Sequence, residues 1–123
     1  MDVKGTSEMI YTRIYADANG VSHFEDVTVQ LHDNGVIGLL SDHVGISSFQ
    51  FRENKEDYNW DFHSAPARQF IVLLDGEIEI ETSDGEIRQF KGGEILYVED
   101  LTGKGHRTRN ITKAIRKSLF IKV

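Results

Sequence analysis

Between Gly76 and Thr82 the chain alternates apolar and charged residues, with Ile78 and Ile80 set against Glu77, Glu79 and Glu81. A period of two marks a strand with one buried face. Ser83-Asp84-Gly85-Glu86 follows, and Asp-Gly readily takes the positive backbone angles of a hairpin turn. Glu86 to Phe90 then returns as the partner strand. Lys91-Gly92-Gly93 breaks the pattern, and Glu94 to Glu99 resumes it, with Ile95, Leu96, Tyr97 and Val98 supplying β-branched and aromatic weight. Comparable runs at Met9 to Tyr15, Val27 to Leu31, Ile46 to Arg52, Gln69 to Leu74 and Ser118 to Val123 are separated by turn-rich segments, among them Asp17-Ala18-Asn19-Gly20, His32-Asp33-Asn34-Gly35 and Glu53-Asn54-Lys55-Glu56-Asp57. A further strand lies around residue 60, where Tyr58, Trp60 and Phe62 share one face and Asn59, Asp61 and His63 the other. Val36 to His43 offers one turn of helix, which the glycines at 35 and 38 weaken. Short strands with turn signals between them predict an all-β sandwich or barrel.

The 123 residues suffice for one hydrophobic core and are too few for two comfortable domains. Residues 1–123 are therefore expected to form a single domain. Hydrophobic residues at 39% and charged residues at 28% give a globular balance, not a disordered one. The absence of cysteine excludes a disulfide framework, a thiolate metal site and a cysteine nucleophile. Met1 to Gly5 carry no apolar signal segment, and no run is long enough to cross a bilayer, so a cytoplasmic protein without membrane contact is expected. The net charge of −6 argues against a nucleic-acid partner held through phosphates. Charge is unevenly placed: from Leu101 onward there are seven basic residues and no acidic one, leaving −13 on the first hundred. That asymmetry is explained either by an anionic partner or by basic C-terminal strands lying beside the acidic stripe of Glu77, Glu79 and Glu81, since opposite charges pair favourably across strands.

Two segments carry a more specific signal. His63-Ser64-Ala65-Pro66-Ala67-Arg68-Gln69 followed by Gly76, and Gly93 followed by Gly103-Lys104-Gly105-His106 and Asn110, resemble the paired signatures of the cupin family over roughly residues 60 to 123. The resemblance implies a single cupin-type jelly-roll β-barrel with one internal site. It also implies that residues 1–25 are an appended strand or hairpin of the kind that packs across a homodimer. Carried over by position, His63 matches the first motif's leading histidine, Gln69 its glutamate and His106 the histidine of the second motif, while the remaining histidine falls on Ala65.

The implied metal ligands are His63, Gln69 and His106, for one divalent ion such as zinc, iron, manganese or nickel, or for none. A divalent transition metal usually takes at least three firm protein donors, and an amide is a poorer one than a carboxylate. Asp61, two residues before His63 in an extended strand, is the candidate for a further donor; Tyr58 and His43 are remoter. The expected ligand pocket is Asp61, His63, Gln69 and His106, with Asp61 or Tyr58 as proton carriers. Pattern alone opposes this, because it buries the aromatic face of Tyr58, Trp60 and Phe62 and leaves His63 in solvent. The resemblance reverses that arrangement and sets the aromatics against another sheet or subunit. His23, His32 and His43 are expected in surface or hydrogen-bonded roles, Arg68 and Arg107 in outward salt bridges, and Asn110 as a turn or hydrogen-bonding residue. Gly92, Gly93, Gly103 and Gly105 lack the strand-to-helix setting of a phosphate loop, and no Gly-x-Ser-x-Gly elbow is present.

Two functions follow. In one, a divalent ion polarises a small polar metabolite for an enzymatic reaction. In the other, a metal-free, non-catalytic barrel binds a small molecule through the same polar residues.

Overall fold

The computed structural model describes residues 9–123. Twelve strands run in order: β1 (Ile10–Ala16), β2 (Ser22–Thr28), β3 (His32–Asp33), β4 (Leu39–Leu40), β5 (Ser48–Asn54), β6 (Asn59–His63), β7 (Gln69–Leu73), β8 (Glu77–Thr82), β9 (Ile87–Lys91), β10 (Ile95–Glu99), β11 (His106–Asn110) and β12 (Arg116–Lys122). Where a turn of helix was expected, a single 3-10 turn at Gly35–Ile37 separates β3 from β4. Gly35 and Gly38, both at positive φ, keep this segment from winding further. The strand expected at Val27 to Leu31 instead spans Ser22–Thr28 and shares only Val27 and Thr28 with that run. Its inward side chains are Ser22 and Phe24, and the small polar Ser22 hid the alternation.

Two sheets face each other. The larger has the order β2-β1-β10-β7-β12-β5, the smaller β6-β11-β8-β9, and β3 pairs with β4 alone. Among the described residues the fold is all-β, a sandwich whose sheets remain separate and do not close into a barrel. The hairpin of β1 and β2 continues the larger sheet, because β1 runs parallel to β10 with Thr12 beside Leu96 and Ile14 beside Val98. The part of the expected appendage at residues 1–8 lies outside the described residues.

Glu79 and Glu81 on β8 stand opposite Arg109 and Arg107 on β11 and bond to them. Part of the charge asymmetry along the chain is thus a cross-strand pairing in space. The buried apolar core, including Ile14, Phe24, Leu73, Ile78, Ile80, Phe90, Leu96 and Val98, comes from β1, β2 and β7 to β10, with Ala65 at its edge. On the outer face of the larger sheet, the segment from Val29 to Ile46 borders an apolar groove of about 610 Å³ against Tyr11, Phe70 and Val72. Among the described residues no helix is long and apolar enough to cross a membrane.

Candidate functional site

No strand of the other half, β5, β12, β6 or β11, contributes an apolar side chain to the buried core. There the two sheets enclose a cavity of about 100 Å³ whose wall includes Arg52, Tyr58, Trp60, His63, Gln69 and His106. At about 30 Å³ per water molecule, this is room for roughly three waters or a ligand of a few heavy atoms.

His106 is placed by strict alternation along β11, where His106 and Thr108 are buried and Arg107 and Arg109 exposed. Its ring is 6% exposed. Nδ1 lies 2.6 Å from Oδ2 of Asp100, which is wholly buried. With Nδ1–H donating to that carboxylate, Nε2 is the ring nitrogen left for the cavity. Asp100 follows β10, so Leu96, Val98 and Asp100 fall on one inward face at a spacing of two. Its carbonyl also accepts the Ala65 N–H at 2.9 Å, which ties the first motif to the base of the second.

His63 reaches the cavity through a β-bulge. The pairing of β6 with β11 passes from His63 opposite His106 to Trp60 opposite Thr108, so Asp61 and Phe62 together face Arg107. The extra residue brings Trp60 and His63, three apart in sequence, onto the same face. Their rings stack at 3.6 Å and 8°. His63 Nδ1–H donates to the carbonyl of Asp61 at 2.9 Å, and its ring centre lies 4.9 Å from that of His106. Burial, with a smaller push from His106, holds the His63 imidazole below its ordinary pKa, while the Asp61 carbonyl and Asp100 act the other way. Gly105 permits the close approach of the two motifs: it has φ +72°, and a Cβ there would lie 1.8 Å from the carbonyl oxygen of His63.

His63, Gln69, His106 and Tyr58 are thus brought together, and Asp61 is not. The bulge turns Asp61 into solvent, where its carboxylate accepts the N–H of Phe62 at 2.8 Å and borders an outer depression with His63, Ser64, Ser83 and Lys104. The same bulge corrects the expected placing of the aromatics: Tyr58 and Trp60 line the cavity, although Trp60 stays 47% exposed, and Phe62 lies toward the Arg107 guanidinium. Gln69 is 3% exposed, and its Oε1 is buried without a hydrogen-bond partner. Burial raises the Tyr58 phenol above its ordinary pKa against the opposing pull of Arg116 and Arg52, so it stays a proton donor. His23 bonds Asp17 and Asp84, His32 lies near Asp42, and His43 is exposed and is not part of the cavity wall. Arg68 and Arg107 pair with Glu99 and Glu81. Asn110 donates to the carbonyls of Lys55 and Glu56 and accepts from Arg116.

Sequence reasoning missed Asp100, Trp60 and Arg52. A lone acid continuing the apolar face of β10 was the available signal for Asp100. Arg52 had none, because on β5 Phe49 and Phe51 are exposed while the half-buried Arg52 lines the cavity, against the usual pattern.

The family resemblance implies a divalent metal, and the donors test that implication. They amount to two imidazole nitrogens and one amide oxygen, all neutral, with Ala65 in the fourth place and the Arg52 cation on the same wall. Among the described residues no group of three or more His, Cys, Asp or Glu is arranged to hold a metal ion. With neither a carboxylate nor a third imidazole, this set fits a resident divalent ion poorly.

No protein-family model matches the sequence, and no curated protein does. Among solved structures the chain is similar to protein NMB1881 from Neisseria meningitidis, with TM-score 0.48 and 19% identity over 65% of this chain and 79% of that one. It is also similar to a putative ethanolamine utilization protein Q from Salmonella typhimurium, with TM-score 0.44 and 15% identity over 95% and 97%. A third is Drosophila melanogaster CENP-C bound to CAL1, with TM-score 0.48 and 11% identity over 99% and 84%.

Proposed function

We propose that this cupin-like protein binds a small polar metabolite in the cavity between β5, β12, β6 and β11, without a resident metal. The reading is carried by the polar groups that converge on that small space: the buried and unpartnered Gln69 Oε1, the buried His106 backed by the fully buried Asp100, and the half-buried His63. An unsatisfied buried polar atom costs about 1–3 kcal/mol. An interior that keeps such an atom on the cavity wall, with Asp100 Oδ1 unpartnered behind His106, is organised for an occupant rather than for stability. Tyr58 donates a hydrogen bond, and Gln69 offers both a donor and an acceptor.

A second reading, the metal-dependent enzyme, has one specific observation in its favour. Both imidazoles have Nδ1 engaged, by Asp100 and by the Asp61 carbonyl, as metal-ligating histidines usually do. Under that reading His63, His106 and Gln69 hold the ion.

Elemental analysis of untagged protein prepared without chelator, beside His106→Ala, separates the two. The expected outcome is sub-stoichiometric zinc, iron, manganese and nickel in both proteins. Near-stoichiometric metal that disappears in the folded variant would overturn the metal-free proposal in favour of the second reading.

A further inference from the structure

The seven arginines fall into two groups. Arg13, Arg68, Arg88, Arg107 and Arg109 each form an ion pair with at least one carboxylate. Arg52 and Arg116 have no such partner among the described residues; Arg116 is buried, and Arg52 is half-buried on the cavity wall. Arg52 lines the cavity; its Nε donates to Gln50 at 2.7 Å and its guanidinium lies 3.7 Å from the ring centre of Phe120, another wall residue. Arg116 is 4% exposed, donates Nε to Asn110 at 2.9 Å and lies 5.4 Å from the ring centre of Tyr58. Its stem crosses Gly76, where a Cβ would come within 3.0 Å of the Arg116 Cγ. Burial lowers its pKa, and Tyr58 and Asp75 only partly offset this.

A desolvated cation without a counter-ion is costly, and proteins normally pair it. The acid on this side of the interior, Asp100, is already engaged by His106. Asp75 acts on Arg116, whereas among the described residues no carboxylate pairs with Arg52, so Arg52 is the cation on the wall of the cavity of about 100 Å³ left without a counter-ion.

We infer that the ligand of this cavity is a small anion, a monocarboxylate of about three to five heavy atoms whose charge is met by Arg52. The inference rests on the proposed binding function and names the ligand class for it. The Arg52 guanidinium presents a planar fork that matches a carboxylate. Its Nε is committed to Gln50, which leaves the terminal nitrogens as the donors for a ligand. Arg116, behind Tyr58, adds a favourable field without direct contact.

Formate, acetate and propanoate serve as probes, against acetamide, propanamide and ethylammonium at constant ionic strength. Binding is read by calorimetry and by the shift in Tm, on the unaltered protein and on Arg52→Lys and Arg52→Gln. The carboxylates are expected to bind and the neutral and cationic isosteres to leave Tm unchanged. Arg52→Gln should weaken carboxylate binding at least tenfold with an unchanged far-UV spectrum, and Arg52→Lys should fall between. Amides that bind as well as acids, no binding by any probe, or full affinity in Arg52→Gln would each overturn the anion. The acid-against-amide comparison needs no variant, so a misfolded Arg52→Gln does not remove the test. Stoichiometric metal lost in His106→Ala overturns the metal-free pocket itself, whichever probe binds.

Discussion

Two histidines answer to opposite forces. His63 is held below its ordinary value of 6.5 chiefly by burial, so its neutral form is favoured in the folded state. The unfolded chain then binds more protons as pH drops, and the stability His63 contributes is present above about pH 6.5 and lost as pH falls toward its folded value. His23 is raised, first by its hydrogen bond to Asp17 and further by Asp84. Its contribution is complete below 6.5 and is lost as pH rises through its folded value. Proton NMR titration should therefore place His63 below 6.5 and His23 above it. Urea denaturation between about pH 5 and 8 should show His63→Gln flattening the acid side of the stability curve and His23→Gln the alkaline side. A His63 titrating above 6.5 would mean that its ring is more hydrated than the stack on Trp60 implies.

Between elements, the site depends on the loop from β10 to β11 touching β6. Gly105 stands where a methyl group would collide with the His63 carbonyl, and its φ is positive as well. Gly93 also has positive φ, +96°, but nothing lies within 4 Å of its missing Cβ. Gly93→Ala should cost about 1–2 kcal/mol for the backbone conformation alone. Gly105→Ala should cost more than about 2 kcal/mol beyond that, because backbone must shift. Chemical denaturation of the two variants checks this; equal losses would show that the close approach is soft. The strands nearest this contact were also those whose faces the sequence could least declare. β7 to β10 were legible because alternation and tight turns coincide there. In β6 the bulge shifts the phase midway, so Trp60 and His63, assigned to opposite faces by a count of two, point the same way. The ladder that forces the extra residue belongs to β11, more than forty residues away, and leaves no local trace.

At the scale of the molecule, the interior divides into a half that holds the fold and a half that holds the site, and single substitutions should report that division. Ile80 lies in the apolar half and is 2% exposed. Ile80→Ala removes packed methyl groups and leaves a cavity, at an expected cost of about 2–5 kcal/mol. Gln69 is nearly as buried, yet its Oε1 has no partner. Gln69→Leu keeps the approximate volume and removes the unsatisfied atom, so it should stabilise the protein by about 1 kcal/mol while weakening ligand binding. Urea midpoints of the two variants give the first comparison and carboxylate titration of Gln69→Leu the second. A Gln69→Leu protein that loses stability as Ile80→Ala does would make Gln69 part of the structural core. A more stable variant with weakened binding would place Gln69 among residues kept for an occupant at the expense of stability, the trade expected of a binding site in so small a fold.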